Sequence, residues 1–353
     1  MLCAGLPQRI TLLGGGGFLG SHLAEALASR TGLAVEVVDT SLHKIERQQD
    51  LRLTQASVRD PGLLEAVVRR SDVVISLTAL CNPSLYNTRP VEVIEANFSE
   101  LAPLARLCRE AGRWLIHFST CEVYGRGEEQ GELAMQEDSS PLVLGPVQSE
   151  RWTYACAKQL LERLLWAEGK HEGLAFTIIR PFNVIGPRMD YLPGIDGDGV
   201  PRVLASFISA LLRGEPLRLV DGGRQRRAFM HVSDLVQAVL RVLERPAVCS
   251  GQIFNLGHPG NDISIRVLAD KLAALYQARC GGPPPRLEEV SAEELYGAGY
   301  DDVLRRLPDI GKAQRLLEWQ PRLGLDEMLA DTLEDYLSRY GASAERQRAL
   351  ARG

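Results

Sequence analysis

Tyr154 and Lys158 are separated by three residues, so both side chains project from one face of the helix predicted around them. A phenol beside an ammonium group loses its proton more readily, which makes Tyr154 a candidate base for a hydroxyl proton during hydride transfer. A solvated surface pair is the alternative interpretation of this spacing. Ser119 and Thr120 lie upstream at the end of an apolar run, and together with a dinucleotide fold they favour the catalytic interpretation.

Gly14, Gly17 and Gly20 have a GxxGxxG spacing between a predicted strand and a predicted helix. Glycine lets the turn close and lets the backbone approach a pyrophosphate, whose charge the helix N-terminus stabilises. Asp39 ends the next strand, where a carboxylate accepts hydrogen bonds from an adenosine ribose and repels a 2′-phosphate. NAD rather than NADP is therefore the predicted cofactor, and a tight turn with an unrelated strand-end Asp is the alternative.

Two cysteines, Cys81 and Cys121, are predicted at the carboxyl ends of strands, where open α/β sheets bind their ligands. A thiol titrates nearer neutrality than a hydroxyl and can act as an acid or a base. Cysteine is also a frequent small core residue, so packing is the alternative role. Packing alone is predicted for Cys108, Cys156, Cys249 and Cys280.

Strands that alternate with helices position these residues. The predicted strands are "RITLL", "AVEVVDT", "DVVISLTAL", "RWLIHFS", "AFTIIRPFN" and "GQIFNLG". This alternation indicates an α/β fold, a Rossmann-type doubly wound parallel sheet covered by helices on both faces.

The chain is predicted to contain two interleaved domains. Residues 1–184 form the NAD-binding domain, whose sheet also takes returning segments near 228–257. Residues 185–340 form a smaller C-terminal substrate domain, and residues 341–353 have little to bury and are predicted to be a flexible tail.

The composition excludes several classes of partner. The chain has 353 residues and a formal net charge of -5, which gives no basic surface for nucleic acid or an anionic membrane. No segment has the roughly 18 apolar residues of a membrane span, and the first residues do not form a signal peptide, so we expect a cytoplasmic protein. The seven cysteines include no CxxC pair and no histidine cluster lies nearby, so neither a disulfide framework nor a metal site is predicted.

From residue 9 to about 338 the sequence resembles the extended short-chain dehydrogenase/reductase family. Within that family it is most similar to UDP-apiose/UDP-xylose synthases and to the UDP-glucuronate decarboxylase domain of the bacterial polymyxin-resistance enzyme. The similarity lies in "EVYG", "RWTYACAKQLLERLLWAEG", "RPFNVIGPRMD", "LRLVDGG" and "YGAGYDD".

The resemblance implies the roles of the site residues. It implies that Thr120, Tyr154 and Lys158 carry the oxidation and that Glu122 and Arg306 lie near the carboxylate that is lost. The implied cofactor contacts are Gly14, Gly17, Phe18, Leu19, Gly20, Asp39, Ser57, Val58, Leu77, Ala79, Tyr154 and Lys158. The implied UDP-sugar contacts are Cys81, Tyr86, Arg151, Asn183, Arg202, the 218–227 segment with Arg218 and Arg227, and Tyr300. Ser57 stands where many relatives carry an adenine-contacting Asp, while Val58 can pack on the ring.

Arginines suit a diphosphate because their forked donors bind it in a fixed geometry. Arg218, Arg224, Arg226 and Arg227 surround a Gly-Gly turn, and Arg202 follows a Gly/Pro-rich loop. An exposed basic turn is the alternative interpretation of the first four.

The two candidate thiols narrow the activity that the resemblance implies. The bacterial decarboxylase has serine in place of Cys121 and alanine in place of Cys81, whereas the plant synthases resemble this chain at both positions. The implied activity is a UDP-apiose/UDP-xylose synthase, with NAD as cofactor, UDP-glucuronate as substrate, UDP-pentose products and a homodimer through the 101–108 and 159–166 helices. The apolar face of these helices would equally suit an intramolecular core. A UDP-glucuronate 4-decarboxylase and a non-enzymatic NAD sensor are the alternative functions.

Overall fold

Runs of valine, isoleucine and leucine form the central strands because both faces of the sheet are covered by helices. The computed structural model describes residues 7–126, 134–197, 200–296 and 303–351. The strands are β1 (Arg9–Leu13), β2 (Ala34–Asp39), β3 (Leu51–Gln55), β4 (Val73–Ser76), β5 (Trp114–Phe118), β6 (Phe176–Pro181), β7 (Val184–Ile185), β8 (Leu217–Val220), β9 (Arg226–Ala228), β10 (Met230–His231), β11 (Gln252–Leu256), β12 (Asp262–Ser264), β13 (Leu287–Val290) and β14 (Arg305–Arg306).

The helices cover the sheet and build a second layer. They are α1 (Phe18–Ala28), α2 (Leu63–Arg70), α3 (Pro90–Ile94), α4 (Ala102–Glu110), α5 (Thr153–Glu172), α6 (Val203–Arg213), α7 (Val232–Glu244), α8 (Pro246–Cys249), α9 (Ile265–Cys280), α10 (Ala292–Tyr296), α11 (Gly311–Leu317) and α12 (Leu325–Ala351). Within the described ranges, none of them has the length and apolar character needed to cross a bilayer.

Seven of the described strands form one parallel sheet in the order β11-β6-β5-β4-β1-β2-β3. The predicted Rossmann-type doubly wound fold is therefore confirmed. The strand order reverses between β1 and β4, and ligands of open α/β sheets bind in the crevice at such a reversal. This crevice is where the predicted cofactor residues converge.

The sequence analysis missed β3, the outermost strand on one side of the sheet. Its residues, "LRLTQ", are partly or fully exposed, because an edge strand packs against a neighbour on one side only. A short, half-polar run of this kind lacks the apolar signal of the central strands.

The substrate layer is built from the segment between two neighbouring strands of the sheet and from the residues that follow the second of them. The chain leaves the sheet after β6 and returns as β11, which pairs in parallel with β6 from Gln252 opposite Thr177 to Leu256 opposite Pro181. One core lies between the sheet, α1 and α7, and a second lies beneath α2, α4 and α5. A third core is built by α6, α9 and α12 in the substrate layer.

The predicted end of the last helix is wrong. The sequence predicts an end near Tyr340, whereas α12 is helical to Ala351. The flexible tail over 341–353 stays a prediction. The added residues are mostly alanine, glutamate, arginine, glutamine and leucine, which have high helix propensity.

Candidate active site

The glycine-rich turn after β1 closes because two of its glycines have no room for a side chain. Gly14 has a φ of +76°, and a Cβ there would lie 2.5 Å from the backbone nitrogen of Thr78. A Cβ on Gly20 would lie 2.5 Å from the Cα of Gly15, so Gly20 allows α1 to pack on the turn. Gly17 is the N-cap of α1, whose first N–H groups lack partners within the helix and suit a phosphate.

The backbone near this turn holds the carboxylate of Asp39. Oδ2 accepts a hydrogen bond from the Gly16 N–H at 2.9 Å, and Oδ1 accepts one from the Ser41 N–H at 3.1 Å. Asp39 therefore presents a fixed negative charge at the end of β2, which disfavours a 2′-phosphate.

A cavity of about 760 Å³, hereafter the cofactor cleft, runs along the carboxyl ends of the central strands. Every residue assigned to the cofactor from the sequence lines it: Gly14, Gly17, Phe18, Leu19, Gly20, Asp39, Ser57, Val58, Leu77, Ala79, Tyr154 and Lys158. Ser57 is engaged in a local turn, since its N–H donates to Asp60 Oδ2 and its Oγ accepts from the Arg59 N–H.

Helix α5 brings Tyr154 and Lys158 to the carboxyl end of β5. The Thr120 side chain lies near the Tyr154 hydroxyl and favours its ionised form, and Lys158 Nζ donates to the carbonyl oxygen of Phe118 at 3.0 Å. The ring of Tyr154 stacks on that of Tyr86, with centroids 5.2 Å apart. These contacts fix the phenol beside the Thr120 hydroxyl.

Burial controls the protonation of this pair. It raises the pKa of Tyr154 well above 10, to which the charges of Cys81 and Glu122 add, and it lowers the pKa of Lys158 to about 8. The sequence analysis expected the neighbouring ammonium to lower the pKa of Tyr154. That expectation is wrong for the protein alone, because the cost of desolvating the phenolate outweighs the favourable effect of Thr120.

Both candidate thiols line the cofactor cleft and lie near Tyr154, so that ionisation of either thiol would raise the pKa of Tyr154. Cys121 is buried, and the nearby Asn183 backbone N–H favours its thiolate. Cys81 has surface that opens into the cleft, yet the cleft walls surround it. Loss of hydration outweighs these effects and raises the pKa of both thiols, so both are protonated at neutral pH.

Glu122 lies between two buried arginines. Its Oε2 accepts a hydrogen bond from Arg151 Nη1 at 2.7 Å, and its Oε1 lies 3.4 Å from Arg306 Nη1. The Arg151 guanidinium also lies over the Tyr86 ring, 5.6 Å from its centroid. Two guanidinium groups at one position suit an anionic ligand, because their forked donors bind a carboxylate or a phosphate in a fixed geometry.

A second cavity, of about 480 Å³, adjoins the cofactor cleft and is hereafter the sugar-nucleotide cavity. Cys81, Glu122, Asn183, Arg202 and Arg306 line both spaces and therefore mark their junction. In the described part of the chain, the Asn183 Nδ2 is buried without a hydrogen-bond partner.

The predicted arginines divide between the sugar-nucleotide cavity and the surface. Arg202 lines it while paired with Asp190 at 2.8 Å, and Arg218 and Arg227 line it from β8 and β9. On β9, Arg226 points to the opposite side and pairs with Asp262. Arg224 is exposed. The basic-turn interpretation therefore holds for Arg224 and Arg226, and Tyr300 lies outside the described residues.

The profile of the NAD dependent epimerase/dehydratase family matches residues 10–257. The chain belongs to this family. The UDP-D-apiose/UDP-D-xylose synthase of rice, Oryza sativa subsp. japonica, is 42% identical over 371 positions that cover 98% of this chain and 93% of the rice protein. UDP-D-apiose/UDP-D-xylose synthase 1 of Arabidopsis thaliana is 42% identical over 354 positions, covering 93% of this chain and 90% of the other.

A solved structure has the same fold over almost the whole chain. The PbgP3 protein from Burkholderia pseudomallei has a TM-score of 0.83 and 32% sequence identity, covering 97% of this chain and 99% of the other. The predicted membership of the extended short-chain dehydrogenase/reductase group is thereby confirmed.

The cofactor of this epimerase/dehydratase family member is NAD, and the cleft fits that group. Thr78 Oγ1 and Ser119 Oγ line the cleft as buried hydroxyls without a hydrogen-bond partner among the described residues, so both are available to a ligand. The glycine turn leaves backbone N–H groups for a pyrophosphate, and Asp39 is fixed near the turn for a ribose.

Several residues of this family member line the cavities but were not predicted from the sequence, Lys44, Phe207 and Gln225 among them. Lys44 lines the cofactor cleft, and Phe207 and Gln225 line the sugar-nucleotide cavity. Phe207 belongs to the apolar face of α6, which is indistinguishable from core in the sequence. Lys44 lies in a polar segment without a motif, and its contacts are with residues 188–190, far away in the sequence. The local sequence therefore does not predict that Lys44 lines the cleft.

Proposed function

We propose that this chain converts UDP-glucuronate into UDP-apiose and UDP-xylose. One observation carries the proposal. Tyr154, two protonated thiols and the Arg151–Glu122–Arg306 cluster all line the cofactor cleft or the sugar-nucleotide cavity that adjoins it. The similarity of the chain to the rice and Arabidopsis synthases over nearly its whole length supports the same activity.

The first step is oxidation at C4 of the glucuronate ring. Tyr154 takes the C4 hydroxyl proton, and Thr120 holds the oxygen while the carbon becomes a ketone. When bound, NAD accepts the C4 hydride, returns it in the last step, and supplies a positive charge that favours ionisation of a nearby phenol. Lys158 fixes the approach of Tyr154 by anchoring α5 to the Phe118 carbonyl.

Decarboxylation follows because the 4-ketone makes the sugar a β-keto acid. The C5–carboxylate bond breaks, CO2 leaves, and its electron pair moves into an enolate that Thr120 and Tyr154 stabilise. In our assignment Arg306 and Arg151 bind the departing carboxylate, and Glu122 positions both of them. A proton then returns to C5.

Ring contraction requires proton transfers that the thiols can supply. Loss of the C2 hydroxyl proton lets the C2–C3 bond break, giving a C2 aldehyde and an enediolate over C3 and C4. Proton transfer within the enediolate lets C4 bond to C2, which leaves C3 as an exocyclic aldehyde. In our assignment one of the two thiols, Cys81 or Cys121, supplies the proton that C5 gains after CO2 has left. The thiolate so formed takes the C2 hydroxyl proton and returns it to the C2 oxygen once the new C2–C4 bond has formed. Return of the hydride to C3 gives UDP-apiose, and its return to the C4 ketone without contraction gives UDP-xylose.

We infer that residues 1–184 with the returning strand β11 carry the cofactor site and that residues 185–340 carry most of the UDP-sugar site. The position of Arg218, Arg227 and Phe207 around the sugar-nucleotide cavity supports this division. We also infer that two copies of the chain associate through the surface that includes α5, where Leu160 and Trp166 are exposed.

The test is incubation of the purified protein with UDP-glucuronate and catalytic NAD, with products identified by NMR. The wild type is expected to release CO2 and to form a branched furanose together with xylose. Cys121→Ser is expected to keep CO2 release and to lose the furanose. Cys156→Ser is the matched control, because Cys156 is an exposed thiol on α5.

The alternatives give different product patterns. If the wild type forms only the 4-keto-pentose or xylose, the chain is a UDP-glucuronate 4-decarboxylase and its thiols serve packing. If it binds NAD and releases no CO2 from UDP-glucuronate, the enzymatic proposal fails and the sensor alternative gains support.

A further inference from the structure

A strained segment, Arg188–Tyr191, crosses the edge of the cofactor cleft and is here called the strap. Asp190 and Tyr191 line the cleft. Arg188 has a φ of +63° and Asp190 one of +26°, values that non-glycine residues rarely adopt. Such a backbone persists only where surrounding contacts determine it.

Lys44 supplies two of these contacts. Its Nζ donates hydrogen bonds to the carbonyl oxygens of Arg188 at 2.7 Å and of Asp190 at 3.1 Å. Lys44 follows β2 and Asp39 by a few residues and itself lines the cofactor cleft. One ammonium group, with three donors, therefore ties the segment beside the predicted ribose site to the strap.

Among the further attachments of the strap, two involve other residues that line the cleft. Asn82, in the loop that carries Cys81, donates from Nδ2 to the Tyr191 hydroxyl at 3.3 Å. The Asp190 carboxylate accepts hydrogen bonds from the Arg202 side chain at 2.8 and 2.9 Å and from its backbone N–H at 2.9 Å. The strap thus connects the cofactor cleft with an arginine of the sugar-nucleotide cavity.

Asn82, Tyr191, Lys44 and Asp190 all line the cleft, so the strap forms part of its wall and not a remote loop. A dinucleotide in the cleft would lie against a wall that Lys44 helps to hold in place. Loss of the ammonium would leave two backbone carbonyls without their donor and would loosen the strained segment.

We propose that Lys44 is a positioning residue that keeps the strap closed over NAD and thereby slows dissociation of the cofactor. The benefit rests on the proposed function, in which the hydride removed from the sugar returns to the same sugar. Reduced cofactor that escaped between these steps would leave a ketone or an aldehyde unreduced. Slow release of NADH would therefore ensure that the ketone or aldehyde is reduced before the sugar leaves the enzyme.

The experiment measures NADH dissociation directly, without any UDP-sugar. Protein loaded with NADH is mixed with excess NAD, and the decay of energy transfer from protein tryptophans to NADH gives the dissociation rate. Lys44→Met keeps a long, unbranched side chain and removes its donors, and we expect dissociation to be about tenfold faster or more. Lys271→Met is the matched control, because Lys271 pairs with Asp326 on the surface and should leave the rate unchanged.

Two outcomes overturn the proposal: wild-type dissociation from a folded Lys44→Met protein, or equal acceleration by Lys271→Met. Should Lys44→Met fail to fold, Tyr191→Phe removes only the hydroxyl at the other attachment, and the strap then predicts faster release from this variant. Because no sugar is present, a chain that holds NADH through Lys44 but does not convert UDP-glucuronate would refute the proposed function alone.

Discussion

Lys158 is proposed to act in C4 oxidation, although burial of its charged side chain destabilises the fold. Its side chain is fully buried and donates to a single backbone carbonyl, and burial lowers its pKa to about 8. In the unfolded chain the pKa is near 10.4, so the folded state binds fewer protons between about pH 8 and pH 10. Stability therefore rises with pH across that window, and the full cost of the buried charge is present below it.

Replacing Lys158 by Met is expected to stabilise the fold at pH 7 and to abolish C4 oxidation. The gain is on the order of 2 kcal/mol at pH 7, since each pKa unit corresponds to about 1.4 kcal/mol and the lost hydrogen bond offsets part of it. Thermal melting of both proteins at pH 7 and pH 9.5 measures the gain, which should shrink at the higher pH. A variant that melts no higher than wild type at pH 7 would contradict the assigned pKa.

At the residue scale, spacing predicts the groups that act locally. The glycine turn, Asp39 and the Tyr154–Lys158 pair each depend on a short stretch of backbone, so their geometry is encoded in adjacent residues. Contacts such as Arg306 with Glu122 or Lys44 with the strap join residues far apart in the chain. Periodicity carries no information about such pairs, and Arg306 could be assigned only through family resemblance.

At the element scale, the end of β11 connects three segments around the site. The Asn255 side chain accepts a hydrogen bond from the Tyr124 hydroxyl at 2.8 Å and donates to the carbonyls of Met135 at 2.8 Å and Asp309 at 3.2 Å. Tyr124 ends the short 3-10 helix that carries Cys121 and Glu122, while the segment with Asp309 continues from β14 and Arg306. Asn255 therefore helps to set the separation of Glu122 and Arg306.

Asn255→Leu should uncouple the two chemical steps. Oxidation depends on α5 and should stay within a few-fold of wild type, whereas CO2 release should fall about tenfold because the Glu122–Arg306 geometry loosens. Single-turnover NADH formation and CO2 release, measured on the same sample, give the ratio. Gln252→Leu, at the other end of β11, is the control. An equal loss of both steps would assign Asn255 to general stability.

Strand prediction succeeded for apolar runs and failed for the half-polar strand at one edge of the sheet. Six strands of the main sheet were recognisable as apolar runs, whereas β3 was not, because its side chains are partly solvated. The last helix was truncated in prediction because its final turns lack an apolar stripe, although their intrinsic propensity favours a helix.

At the scale of the whole molecule, the two helices predicted to form the dimer pack partly against each other within one subunit and partly face outwards. Leu104 and Cys108 of α4 are buried against Leu161 and Leu165 of α5, so this part of the apolar pattern belongs to an intramolecular core. Leu160 lies on the outer side of α5 and is 48% exposed. It is therefore the residue of this helix on which the dimer proposal can be tested.

Leu160→Asp is expected to convert a dimer into a monomer, because a carboxylate would lose hydration in an apolar interface. Light scattering after size-exclusion chromatography should give about twice 38.8 kDa for the wild type and one chain mass for the variant. Leu304→Asp, a change at a residue that is 67% exposed outside these helices, is the control. A monomeric wild type, or a variant of unchanged mass, would exclude this surface.

The late return of β11 to the sheet has a consequence for biosynthesis. Residues up to β6 emerge from the ribosome first, but the edge of β6 has no partner until residues 252–256 have been made. During this interval the nascent chain exposes unpaired backbone groups that can pair with another chain. The dinucleotide half of the molecule thus cannot be completed before the segment between β6 and β11 has been synthesised, and a message truncated in that interval would yield an aggregation-prone product.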